Sequence, residues 1–186
     1  RDYQYGEKIA VTIRNMPTID MLLRKIASVN PRRVKPHLLS IIRMGTAELV
    51  YSPQTPEYAI VDEAVNLASA RGGRKQTGFV NAVLRNVLRA IDARDVKPVF
   101  APTPEQMRYA IPTGAESSCV FKPAVLPRPD ENPAEYLAEA FSMPQWLIKS
   151  WLDAHGFDKA RAICVASNRR PGLYLQPNTL KTDLDE

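Results

Sequence analysis

From Thr77 to Ile91 the apolar residues Val80, Val83, Leu84, Val87 and Ile91 fall at i, i+3, i+4, i+7 and i+11. Only an α-helix brings such positions onto one side, so the spacing predicts a helix with a buried face. One amphipathic helix cannot bury that face alone, and the preceding sequence supplies neighbours. Thr18 is a candidate cap for a helix with Ile19, Leu22, Leu23 and Ile26 inward and Asp20 in its first turn, ended by Asn30-Pro31. Pro36 suits the first position of the next helix. That helix runs to about Tyr51 and buries Leu38, Leu39, Ile42, Thr46 and Leu49, while Gly45 on the same stripe leaves room for another helix to come close. A third helix covers roughly Ala59 to Arg71 with Ile60, Ala64, Leu67 and Ala68 inward, and Gly72-Gly73 ends it. A partial helix around Tyr5 to Arg14 comes first. Residues 1–94 read as an all-α bundle, and the chain as mainly α.

Residues 95–131 break the pattern. Nine of the 16 prolines lie between Pro98 and Pro144, and Val99, Phe100, Tyr109, Ile111, Val120 and Phe121 show no period. This stretch is expected to be a proline-rich linker, extended and lying on the surface, with a domain boundary near residue 95. Order returns at Asn132-Pro133-Ala134-Glu135, a capping-box-like helix start, and again at Ser142, Pro144 and Gln145. The helix after Ser142 carries Trp146, Leu147, Trp151 and Leu152, read as core, and Gly156 closes it. A short helix from Asp158 to Asn168 and a strand at Leu173–Gln176 follow. Residues 132–186 read as the small helical/α+β start of a second unit, since one strand cannot form a sheet alone.

Charge divides the chain the same way. Residues 1–97 hold 16 Lys/Arg against 9 Asp/Glu, whereas residues 98–186 hold 9 against 11. A basic half beside a slightly acidic one points to an anionic partner for the first, and nucleic acid is the obvious one. No apolar run reaches the roughly 18 residues needed to cross a bilayer, and no signal-peptide core follows Arg1. Two cysteines and two histidines make neither a disulfide framework nor a metal-ligand cluster, so the expectation is a cytoplasmic, metal-free protein. Cys119 reads as a loop thiol and Cys164 as core. His37 and His155 stand alone, and no catalytic residue is assigned.

The segment Gly72-Gly73-Arg74-Lys75-Gln76-Thr77-Gly78 is either a glycine-rich turn feeding a buried helix or a phosphate-binding helix start, where amides, dipole and cations face one anion. It is not a P-loop, which requires Gly-x-x-x-x-Gly-Lys-Ser/Thr. The candidate RNA-binding residues are Arg32, Arg33 and Lys35 in one loop, and Arg71, Arg74, Lys75, Arg85 and Arg89, which could share a surface.

Three stretches carry a resemblance: Leu38–Leu49 (LLSIIRMGTAEL), Ala59–Val65 (AIVDEAV) and Gly78–Arg85 (GFVNAVLR). Together they resemble the NusB-like helical domain, which occurs alone in the antitermination factor NusB and at the front of the RsmB/Sun family of 16S rRNA cytosine-5 methyltransferases. Phe141–Leu147 (FSMPQWL), Asn168–Pro171 (NRRP) and Asn178–Lys181 (NTLK) are similar to segments that in the methyltransferases lead into the S-adenosylmethionine-binding domain. Three features depart from the family: the first helices of the NusB-like domain are not in the chain, the 95–131 stretch is longer and richer in proline, and Gln176-Pro177 stands where Arg-Val is usual. The resemblance implies an RNA-binding, substrate-positioning fragment with no cofactor of its own, S-adenosylmethionine belonging to the parent protein. In that family the catalytic cysteine follows a proline or threonine, and neither Cys119 nor Cys164 has that context. The rival readings are a NusB-type regulatory factor partnered by a ribosomal protein, and a helical protein-interaction module.

Overall fold

The computed structural model describes residues 2–71, 73–97 and 102–169, and their side chains except those of 2–5 and 71. The predicted strand at Leu173–Gln176 lies outside the described residues. Five helices form the first half: α1 (Asp2–Arg14), α2 (Met16–Ala27), α3 (Pro36–Tyr51), α4 (Glu57–Arg71) and α5 (Arg74–Ala90). A short 3-10 helix, Pro31–Arg33, joins α2 to α3. The predicted stripes turn inward: Ile19, Leu22 and Leu23 on α2, Leu38, Ile42 and Leu49 on α3, and Val80, Val83, Leu84 and Val87 on α5 are buried. Leu67 is the exception on α4, 47% exposed while Ile60, Ala64 and Ala68 are buried.

Gly45 does what its place on the stripe predicted. A Cβ there would sit 2.8 Å from Leu84 Cδ1, so α3 and α5 approach as closely as they do only because it is absent. Thr18, by contrast, is not a cap. Helix α2 starts at Met16 after Asn15, and Thr18 is buried, with its hydroxyl donating to the Glu139 carbonyl at 2.6 Å and sharing a hydrogen bond with Ser142 Oγ at 2.5 Å.

The stretch expected to be a linker is a small sheet packed on the bundle. Helix α5 runs directly into β1 (Ile91–Val96). A four-residue helix α6 (Pro104–Met107) then leads to β2 (Ala110–Pro112) and β3 (Ser118–Phe121). All pairings are antiparallel in the order β1-β3-β2, and β1 is bulged twice, with Asp95 at φ 56 inside the second irregularity. Ile111, Cys119, Phe121, Val125 and Leu126 are buried in the same core as the helices. Cys119 is therefore a core thiol, not a loop thiol.

Arg94 fastens sheet to bundle. Its guanidinium donates to the carbonyls of Thr55 (3.0 Å), Glu48 (3.2 Å) and Ser52, with Glu57 at 3.8 Å. The Glu48 and Ser52 carbonyls also accept from the Ser52 and Thr55 amides, so Arg94 adds second bonds at the end of α3 and ties the turn after it to the sheet.

Helices α7 (Pro133–Phe141) and α8 (Gln145–Ser167) complete the described chain. The predicted cap at Asn132 forms: its Oδ1 accepts from the Glu135 amide and its Nδ2 donates to Glu135 Oε2 at 2.6 Å. Ser142 instead ends α7 in the left-handed region at φ 57, and Pro144 precedes α8. Gly156, at φ 73, breaks α8 into two helical pieces, matching the stop and restart expected there. Trp146 does not enter the core and is 71% exposed on the first turn of α8, whereas Trp151 packs partly against it. Among the described residues no helix is long and apolar enough to cross a membrane.

Candidate nucleic-acid interface

Helices α3 and α5 pack together and start at the same end of the bundle. His37 Nε2 and Gln76 Oε1, in their first turns, lie 3.4 Å apart. This places the basic loop Arg32–Lys35 beside Arg74 and Lys75, although about forty residues separate them in sequence. All five of these cations are exposed. The Asn30 side chain accepts from the Arg32 amide at 3.0 Å and sets the 3-10 turn that carries Arg32 and Arg33.

The charge arrangement is opposite to what an isolated helix favours. Neither α3 nor α5 has an acidic residue in its first turn or a side-chain cap, and Lys35, Arg74 and Lys75 sit at the positive ends of the two dipoles. Each such cation is unfavourable by about 0.3–1 kcal/mol at a surface, and a bound anion reverses the sign.

The remaining candidates separate. Arg85 and Arg89 lie ~16 and ~22 Å along α5 from Arg74, so the five do not form one cluster. Arg85 shares with Arg74 a groove between α4 and α5, and its Nε donates to Asn81 Oδ1 at 2.9 Å. Arg89 is exposed at the far end of α5. The side chain of Arg71 lies outside the described residues.

Sequence reasoning missed three cations. Lys122 Nζ donates to the Arg89 carbonyl at 3.0 Å, bringing a second positive charge to that end of α5. Arg24 and Arg43 line a concavity with Arg32, where Arg43 is held by Asp20 through bonds of 2.8 and 2.7 Å. A helical wheel would have placed Arg24 and Arg43 on polar faces without bringing those faces together. Nothing in the local sequence marks Lys122.

The two thiols lack nucleophile chemistry. Burial pushes Cys119 up to about 12 and Cys164 up to about 11, and both side chains are fully enclosed. Each remains a neutral thiol at physiological pH. No group of three or more His, Cys, Asp and Glu with metal-holding geometry occurs among the described residues.

A helical bundle with a basic end, continuous with a small sheet and a further helical pair, defines a mainly helical module with a candidate anion-binding surface. Comparison with known proteins narrows the class. The NusB family matches residues 4–89, and the Methyltr_RsmF/B-like ferredoxin-like domain matches residues 143–186. The "Probable ribosomal RNA small subunit methyltransferase B" of Bacillus subtilis is 28% identical over 180 residues, covering 97% of this chain and 33% of that protein. A protein of the same name from Synechocystis is 26% identical over 95% of this chain and 32% of its own length. The "Transcription antitermination protein NusB" of Sorangium cellulosum is 34% identical over 86 residues, covering 45% of this chain and 61% of that protein. No solved structure matches. The chain thus carries a NusB-family region followed by a segment similar to the RsmF/B-like ferredoxin-like domain, and it spans about one third of the length of the methyltransferase relatives.

Proposed function

We propose that this chain binds ribosomal RNA through the basic end of its helical bundle and positions it for an S-adenosylmethionine-dependent 16S rRNA cytosine-5 methyltransferase of which it is a part. One observation carries the reading: two neighbouring helix N-termini, those of α3 and α5, are flanked by cations where a lone helix would carry acids. Phosphates relieve that arrangement by meeting amides, dipoles and cations at once. Such contacts fix the register of an RNA without reading its sequence.

S-adenosylmethionine is assigned to the longer protein on family grounds, and no described side chain is assigned to it. Attack on a cytosine ring requires a thiolate, and the two thiols present are buried and protonated. The family relationship over 95–97% of the chain favours the methyltransferase role over that of a NusB-type factor with a ribosomal-protein partner, because the NusB relative matches 45%.

The test is RNA affinity as a function of salt. Replacing Arg74, Lys75 and Arg85 by Gln weakens binding to an rRNA fragment and makes the log–log salt slope less negative by about 0.7–0.9 for each phosphate no longer neutralised. Unchanged affinity with an unchanged slope contradicts the assignment.

A further inference from the structure

We propose that the groove between α4 and α5 holds an unstacked base of single-stranded RNA against the ring of Tyr58, a subsite that rests on the RNA-binding reading above. The groove has a volume of about 1280 Å³. Small-molecule pockets usually hold about 300–1,000 Å³, so this open trough suits a length of polymer better than a free metabolite. Tyr58, on the first turn of α4, lines it and is 78% exposed, so its ring has almost no packing role in the fold. On the facing helix, Asn81 Oδ1 accepts from Arg85 Nε, which leaves the amide NH₂ and the outer guanidinium nitrogens to donate to a base edge or a phosphate.

Gly78 is the second observation. It lies inside α5 and lines the groove, yet a Cβ placed on it meets nothing within 4 Å. Glycine weakens a helix interior, and here no neighbour in the fold requires it. The space it leaves open is groove space. A flat aromatic ring, an apolar floor at Val61 and a donor-bearing far wall match a splayed base, and single-stranded RNA is where bases are free to be held this way.

The experiment compares a single-stranded RNA oligonucleotide of about twelve residues with a duplex of equal length, using the whole chain. Tyr58→Ala is expected to weaken single-strand binding roughly 5- to 150-fold, the loss of one stacking ring, and to leave duplex binding unchanged, while Tyr58→Phe binds like the parent. Gly78→Leu is expected to weaken the single strand by blocking the groove toward the α4–α5 turn, where the strand continues past Tyr58, while raising the melting temperature, which separates a filled groove from a damaged fold. Unchanged single-strand affinity for both Tyr58→Ala and Gly78→Leu overturns the subsite and leaves the groove to a peptide. That result leaves RNA binding at Arg74 and Lys75 standing. Absence of salt-sensitive binding by the parent chain to either RNA overturns both readings.

Discussion

Arg94 ties the sheet to the bundle through one guanidinium. It supplies three hydrogen bonds to backbone carbonyls around the end of α3, and its side chain is 10% exposed. Arg94→Ala removes these charged hydrogen bonds from a buried site, while the Glu48 and Ser52 carbonyls keep their amide partners, so a loss of about 1.5–3 kcal/mol in unfolding free energy is expected by urea denaturation. Arg94→Lys recovers only part, since the ammonium's donors radiate from one nitrogen and cannot span the sites that the planar guanidinium reaches from separate nitrogens. The thiols give a second expectation. With Cys119 pushed up to about 12 and Cys164 to about 11 by burial, the folded state keeps both protons where the unfolded chain begins to lose them near its ordinary value of 9.0. Their contribution is thus fully present below about pH 9 and is lost as pH rises toward the folded values. At pH 8, labelling of either cysteine by a soluble disulfide reagent should follow the rate of unfolding. Fast labelling in native buffer would contradict the burial.

The helices were legible in the sequence because their apolar residues keep a 3.6-residue period, their ends are marked by Pro31, Pro36 and the Gly72-Gly73 pair, and even the tight α3–α5 approach was marked by Gly45. The sheet was not legible. Its strands have six, three and four residues, one carries two irregularities, and their polar positions hide the alternation that identifies a strand. Thr18 and Ser142 misled for a related reason: each has the side chain of a helix cap, but the two bond to each other across the α2–α7 contact, 124 residues apart. Glycine substitutions in two helices make an element-scale test. Gly45→Ala meets Leu84 at 2.8 Å and should lower the melting temperature, with an overpacking cost of about 1–3 kcal/mol that exceeds the gain in helix propensity. Gly78→Ala meets nothing and should raise it, with a stability gain of roughly 0.5–1 kcal/mol. Equal shifts of the same sign would mean that α3 and α5 do not approach as described.

At the scale of the molecule, one continuous core runs from α2–α5 through the sheet to α7 and α8, and at its rim Lys25 bonds both Glu139 (2.9 Å) and the Val125 carbonyl (2.8 Å). Both tryptophans are on α8, whereas far-UV ellipticity comes mostly from the bundle. A single cooperative unit requires tryptophan fluorescence and ellipticity to give superimposable unfolding curves. An earlier fluorescence transition would restore two independently folding parts. The candidate RNA surface was half legible: the cations at Arg32–Lys35 and Arg74–Lys75 were visible as runs, but their adjacency arises only when α3 and α5 start side by side, and Lys122 reaches Arg89 only through the sheet.

Where RNA touches this chain is measured most directly by photo-crosslinking a 16S rRNA fragment to it and mapping the modified peptides. Crosslinks concentrated in Arg32–His37 and Arg74–Arg85 are the predicted result. Crosslinks confined to residues 102–169, or none above a non-nucleic polyanion control, would contradict it.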